Sequence, residues 1–240
     1  MANNVKQLDS NATAPVELAE GVYALTTQGS ICYLVTGTEK GLVIDTGFGA
    51  DDVLAAAKKA TNLPLTLVNT HGHGDHIGRN DQFDETYAHP LEHEKVARKN
   101  KVIHPITEGF VFDLGGRQLE VVEIPGHTPG SVALLDRASK MIFTGDMIYD
   151  GPLFLQFEYS NLDDYVASMD KLLSMSDVID TVFCCHGTAV ETLEQAKKTR
   201  ALVLLVKEGK VEGSPVHLET EDGDYDVKQY AHDGAMMFYQ

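Results

Sequence analysis

The chain has 240 residues, 43% of them hydrophobic, enough to bury one sizeable core; residues 15–240 read as a single domain behind a polar N-terminal extension, residues 1–14. Nineteen basic against 36 acidic residues give a formal net charge of -17, which opposes phosphate backbones and anionic lipid, so neither a nucleic-acid nor a membrane partner is expected. The three cysteines, two of them adjacent, fit no disulfide framework, the amino terminus has no apolar stretch after a basic start, and no apolar run reaches about 18 residues, which together predict a cytoplasmic protein.

In chain order, residues 16–26, 30–35 and 40–45 read as three strands punctuated by glycines, the opening of an antiparallel sheet, with Cys32 packed in the core. Residues 50–61 carry Val53, Leu54 and Ala57 at helical spacing, with Asp51 and Asp52 expected in the first turn, where the helix dipole favours negative charge. Leu65 to Val68 form an apolar, β-prone run, followed by a short strand over 83–88 and a helix over 90–99 with Pro90 at its start. Gly115-Gly116 between residues 109–114 and 117–124 is the best hairpin signal in the sequence. Further strands are expected over 132–135, 141–144 and 178–184. An amphipathic helix is marked by Leu162, Val166, Met169 and Leu173, and a long helix covers 189–207. The tail, 209–240, is acidic at 219–226 and ends in the apolar run 236–239. It reads as an edge strand or terminal hairpin, or else as the contact of a homodimer. Two comparable halves of strands and helices predict two sheets face to face with helices outside.

The chemistry concentrates in Thr70-His71-Gly72-His73-Gly74-Asp75-His76, directly after the run Leu65 to Val68. Three histidines and an aspartate within six residues make a metal site, because imidazole and carboxylate are ligands for zinc and other borderline divalent ions. On an extended segment His71 and His73 point the same way, and the turn at Gly74 lets Asp75 and His76 face a second position. That is more ligand than one open catalytic zinc needs.

This motif resembles the signature of the metallo-β-lactamase fold, and the family's other motifs can be found in order. Leu42 to Gly47 resembles its early strand ending in aspartate. Residues 125–131 around His127 resemble its second histidine motif, 143–146 its bridging aspartate, and 184–187 its last histidine. The resemblance implies an α+β, four-layer αβ/βα sandwich. It implies that His71, His73 and His127 hold one metal ion, that Asp75, His76 and His186 hold a second, and that Asp146 bridges them. Two divalent ions, zinc or else iron or manganese, would lie about 3.5 to 4 Å apart around a shared water. Asp75 or Asp146 would relay its proton, and Asp45 would accept a hydrogen bond that fixes one histidine.

Flavin-linked diiron relatives usually carry Glu where this chain has His73, which favours hydrolysis here over oxygen reduction. β-Lactamases proper carry Cys or Ser where this chain has Asp146. Residues 115–173 are similar to the thioesterase branch, the acyl-CoA thioesterases and hydroxyacylglutathione hydrolases. The expected activity is therefore hydrolysis of a thioester or related activated acyl bond of a small molecule. A lactonase, a weak β-lactamase or a single-iron persulfide dioxygenase are the alternatives. The apolar segment after Asp146 supplies candidate substrate contacts, Tyr149, Leu153, Phe154 and Phe157, or else plugs the core. Cys185 is expected as core packing, with a metal neighbour or oxidation-sensitive thiol as the alternative.

Overall fold

The structure, a computed structural model, describes residues 5–7, 15–220 and 223–240. Most of the expected extension 1–14 therefore lies outside the described residues; within it, Lys6 N donates to Leu18 O. The first sheet has seven strands in chain order: β1 (Val16–Ala19), β2 (Val22–Thr26), β3 (Ile31–Thr36), β4 (Gly41–Ile44), β5 (Leu65–Val68), β6 (Glu85–Ala88) and β7 (Val102–Pro105). The strand expected over 16–26 is thus two strands folded back on each other, with Val16 opposite Ala24. From β4 onward the pairing is parallel, because α1 (Val53–Ala60) crosses over between β4 and β5. Asp52 is not in the first turn of α1. It is the N-cap, accepting from Ala55 N at 2.8 Å, and Asp51 instead accepts from Gln28 N.

After β5 comes α2 (Gly74–Ile77), one turn carrying Asp75 and His76. The helix expected over 90–99 is a 3-10 turn, Pro90–Glu92, running into α3 (His93–Val96). The second sheet holds β8 (Val111–Asp113), β9 (Gln118–Glu123), β10 (Val132–Asp136), β11 (Met141–Phe143), β13 (Thr181–Phe183) and β14 (Val190–Glu191). The hairpin between β8 and β9 turns on Gly115 and Gly116, whose φ values of 81° and 68° only glycine adopts freely. β12 (Pro152–Leu155) joins a third sheet not expected from the sequence, with β15 (Ser214–Thr220), β16 (Gly223–His232) and β17 (Ala235–Tyr239). Its order is β12-β17-β16-β15, so the tail is a hairpin plus a strand set parallel to β12.

Burial explains why several strands read as continuous apolar runs rather than alternating ones. In β10, Val132 and Leu134 pack against Leu42, Ile44 and Tyr33 between the two large sheets. Ala133 and Leu135 pack on the other face under α4 (Leu162–Ser174) and α5 (Leu193–Lys207). β4 does the same, with Val43 turned out to Val53 and Ala57 of α1. Sheets are thus sandwiched between helices, the α+β layering expected. Residues 189–192, expected within the last helix, include β14 and the N-cap Thr192, whose hydroxyl accepts from Glu194 N. No helix among the described residues is long and apolar enough to cross a membrane.

Candidate metal centre

Parallel pairing of β4 with β5 and of β11 with β13 places the loops after these strands at shared ends of their sheets. Asp45 follows β4, His71 and His73 follow β5, Asp146 sits in a 3-10 turn after β11, and His186 follows β13. His127 enters from the loop between β9 and β10. Gly145 permits the close approach of the Asp146 turn to the histidine loop: its φ is 52°, and a Cβ there would lie 2.7 Å from Thr70 Oγ1.

Three groups of donor atoms result among the described residues; Asp146 belongs to two of them, and the third is Asp45, His76 and Cys185. His71, His73, His127 and Asp146 present ligand-type atoms within 4.8 Å of one another, as do Asp75, His76, Asp146 and His186. In the first group His73 Nδ1 lies 3.1 Å from His71 Nε2 and 2.9 Å from His127 Nε2. Asp146 Oδ2 stands 3.9 and 3.6 Å from the Nε2 atoms of His71 and His127. In the second, Asp146 Oδ1 is 3.1 Å from Nε2 of both His76 and His186, and Asp75 Oδ2 is 3.5 and 3.3 Å from the same two atoms. One carboxylate therefore turns one oxygen to each of these two groups.

Each of four histidines has its other nitrogen engaged away from the centre. His76 Nδ1 donates to Asp45 Oδ2 at 2.8 Å, and His127 Nδ1 donates to the Phe154 carbonyl at 2.8 Å. Thr70 Oγ1 donates to Asp45 Oδ2 at 2.7 Å, which leaves it to accept from His71 Nδ1 at 3.1 Å. His73 is inverted, its Nε2 meeting the Tyr159 hydroxyl at 2.7 Å. For His71, His73 and His127 these outward bonds leave unprotonated nitrogens aimed at the centre, as metal-ligating imidazoles require, and His76 presents its Nε2 in the same way once it gives up its proton. A second clamp acts on the backbone. The buried Glu92 carboxylate accepts from Gly72 N at 3.0 Å and Gly130 N at 2.9 Å, tying the His71–His73 loop to the His127 loop.

Charge separates the two groups. Burial holds His71, His73 and His127 below the ordinary histidine range, so the first group is neutral apart from Asp146. Burial would also lower His186, but the Asp146 and Asp75 carboxylates outweigh it and raise that ring to about 10. His76 is likewise raised despite burial, by Asp146, Asp75 and Asp45. Burial opposes ionisation of Asp146 as well, yet the two cationic rings hold it well below the carboxylate range. The donor set fits a metal centre. His76 Nε2 and Asp146 Oδ1 are buried 3.1 Å apart, yet neither makes a hydrogen bond.

A cavity of about 490 Å³ opens over these groups, with His73, Asp75, His127, Asp146 and His186 on its floor and Phe154 and Phe157 in its wall. Tyr149 and Leu153, expected as substrate contacts, are core residues instead. Leu153 is 1% exposed, and Tyr149 packs against His186 while its hydroxyl donates to Pro152 O. Strand alternation along β12 is the cause, since Leu153 and Leu155 are buried while Phe154 is turned the other way. Phe48, Leu218 and Phe238 also line the cavity and come from segments that carry no motif. Cys185 is buried with its Sγ 3.9 Å from Asp45 Oδ2, and burial raises its pKa, the state of an inert packed thiol. A larger hollow, about 1240 Å³, is lined by other residues around the Arg117–Asp136 ion pair and none of this cluster.

The sequence profile of the Metallo-beta-lactamase superfamily matches residues 25–186, the span from β2 to the last histidine of the centre. The chain is 34% identical over 185 residues to the acyl-coenzyme A thioesterase MBLAC2 of Gallus gallus, covering 60% of this chain and 67% of that protein. It is 30% identical over 145 residues to a hydroxyacylglutathione hydrolase of Pectobacterium atrosepticum, covering 60% of this chain and 55% of that one. Among solved structures it resembles TTHA1623 in a di-iron-bound form, at a TM-score of 0.61 and 28% identity over 73% of this chain and 96% of that one. With its motifs matched and its donor groups assembled on the expected fold, the chain belongs to the metallo-beta-lactamase superfamily, as an enzyme of that family's hydrolase kind.

Proposed function

We propose that the protein hydrolyses a thioester, or a related activated acyl bond, of a small molecule at a dinuclear centre of divalent ions, zinc in the first instance. The observation that carries this reading is the division of the Asp146 carboxylate, Oδ2 toward His71 and His127, Oδ1 toward His76 and His186. His71, His73 and His127 would hold one ion and Asp75, His76 and His186 the other, with Asp146 shared. The resemblance to a di-iron-bound protein supports a two-ion centre, and the thioesterase and glutathione-thioester hydrolase relatives support the bond class.

When bound, such ions make a water acidic near neutral pH and polarise a carbonyl oxygen. The chain's own residues do the rest. Four outward hydrogen bonds fix the imidazoles with their other nitrogens turned to the centre, so no reorganisation is needed when substrate arrives. Asp75, whose side chain is 24% exposed against 6% for Asp146, is the carboxylate open to the cavity. Its carboxylate takes the proton of the attacking water and returns it to the departing sulfur, so that water and thioester yield one acid and one thiol. Phe154 and Phe157 border the reacting carbonyl.

Residues 15–240 act as one domain in this reading, in a reducing compartment such as the cytoplasm, where three unpaired buried cysteines are stable. In this reading the tail lines the cavity, with β17 paired between β12 and β16, and the edge strand β15 is where a homodimer contact would form. The test is a panel of an acyl-thioester, S-lactoylglutathione, an acyl-homoserine lactone and a chromogenic β-lactam, against zinc-, manganese- and iron-loaded protein. Thioester turnover well above the lactone and β-lactam, lost in His73→Ala, is expected. Oxygen uptake with a persulfide by iron-loaded protein, and no hydrolysis, would overturn the reading.

A further inference from the structure

The family match ends at residue 186, yet part of the cavity wall comes from strands beyond it. Leu218 on β15 and Tyr225 on β16 are directly opposed in the register of the hairpin, so their side chains share a face. That face is turned to the centre. Tyr225 meets Phe157 edge-on, with centroids 5.6 Å apart and planes at 89°, and Leu218 lines the cavity itself. Phe157 in turn lies 4.8 Å from the His73 ring and stacks on Tyr159. Phe238 on β17, 5.3 Å from Phe154, and Phe48 complete an apolar enclosure whose floor is the donor cluster.

An aromatic wall held edge to face is stiff, and among the described residues that line the cavity the hairpin adds only Glu219 and Thr220, at the end of β15, to Leu218. Its volume, about 490 Å³, lies within the range of small-molecule sites. A substrate carbonyl seated over Asp146 would direct one of its two substituents against these rings. Apolar surface there is removed from water only if that substituent is itself apolar.

We propose that the C-terminal hairpin β15–β16 is the specificity wall of the enzyme, with Leu218 and Tyr225 selecting thioesters whose acyl group is an extended hydrocarbon chain. The proposal rests on the thioesterase reading and adds which end of the substrate is recognised, and by which element. Chain length acts through contact with Leu218 directly and with Phe157 as buttressed by Tyr225.

The experiment compares kcat/KM for acetyl and dodecanoyl thioesters of one uncharged thiol, N-acetylcysteamine, on the metal-loaded protein. Wild type is expected to prefer dodecanoyl. Single methylene differences in an apolar pocket already change selectivity about tenfold, so the dodecanoyl-to-acetyl ratio is expected to fall by at least about that factor in Leu218→Asp and in Tyr225→Ala. Asp226→Asn, on the outer face where Asp226 pairs with His217, is expected to leave the ratio at its wild-type value. Binding of the uncleavable dodecyl thioether, followed by calorimetry, is expected to weaken in the same two variants. A wild-type ratio near one, or a ratio and thioether affinity unmoved by both substitutions, would overturn the hairpin's role while leaving thioester hydrolysis standing. Absence of turnover on either ester, with the thioether still bound through Leu218, would overturn the thioesterase reading alone.

Discussion

Asp45 and His76 meet at 2.8 Å between carboxylate Oδ2 and ring Nδ1, and both side chains are fully buried. The same carboxylate accepts from Thr70 N and Thr70 Oγ1, so it orients His76 directly and His71 through the Thr70 hydroxyl. Asp45 itself has a φ of 63°, a left-handed conformation that a short polar side chain tolerates and that turns it under both rings. In Asp45→Asn one acceptor becomes an amide donor facing another donor, with both side chains fully buried. Metal affinity, measured by competition with a chelator, should fall about 10–100-fold. Unchanged affinity would mean that the rings are held by their packing alone.

Glu92 predicts a different signature, because it grips backbone rather than ring. A Cβ at Gly72 would lie 2.8 Å from Glu92 Oε2 and one at Gly130 would lie 2.8 Å from Oε1, so both loops press directly on the carboxylate. Glu92→Gln keeps the shape but turns an amide N–H toward one of the two backbone N–H groups. Leaving one buried donor unsatisfied costs about 1–3 kcal/mol. At this chain size each kcal/mol lowers Tm by about 2–4 °C. The rise in Tm on metal loading should also shrink, since the two histidine loops are no longer tied. A variant with wild-type Tm in both states would show that the clamp contributes nothing.

The opposed shifts of the histidines predict two metal-binding steps with different pH dependence. His71, His73 and His127 are lowered by burial and are already neutral at pH 7, so an ion entering that group displaces no ring proton. His186 is raised to about 10 and His76 is raised too, so the second group is protonated in the metal-free protein and must release protons to bind. Affinity of the second step should therefore climb steeply as pH rises from about 6.5 toward 10, while the first changes little. The sign for folding is opposite. Below about 6.5 both states of the chain carry the His186 proton and its stabilisation of metal-free protein is complete; that stabilisation is lost as pH rises through about 10. Calorimetric titration in buffers of different ionisation enthalpy separates the steps, and equal proton release in both would contradict the assignment.

What was legible in the sequence was what contiguity encodes. Ligands within one loop, such as His71 to His76, announce themselves by spacing, and the remaining ligands each follow an apolar run that could only be a buried strand. The third sheet was illegible because Leu153 pairs with Met237, far along the chain, and nothing local in either segment specifies a parallel partner. For the same reason Phe154 was assignable to the cavity only together with Leu153, which belongs to the core. Glu92 and Tyr159 went unread because a single Glu in a helix start and a single Tyr in a loop carry no motif. Their roles are fixed only when the His73 and His127 loops converge on them.

Tyr159 gives the sharpest separation of positioning from packing. Its ring is stacked on Phe157, with centroids 5.2 Å apart and planes at 8°, and carries the Lys95 ammonium 3.9 Å from its centroid on a face. Phenylalanine preserves the stacked ring and removes only the hydroxyl that meets His73 Nε2. Loss of one such hydrogen bond costs about 1 kcal/mol, so Tm should fall by no more than about 2–4 °C. The effect should appear instead in the His73 tautomer, since the Tyr159 hydroxyl engages Nε2 while Nδ1 faces His71 and His127. In Tyr159→Phe, kcat should drop with KM nearly constant, and the absorption bands of cobalt-substituted protein should broaden as the ring gains freedom. Tyr159→Leu should add a rise in KM, because it also removes the surface against which Phe157 is stacked. If both substitutions changed KM alone, Tyr159 would be part of the cavity wall and not a support for His73.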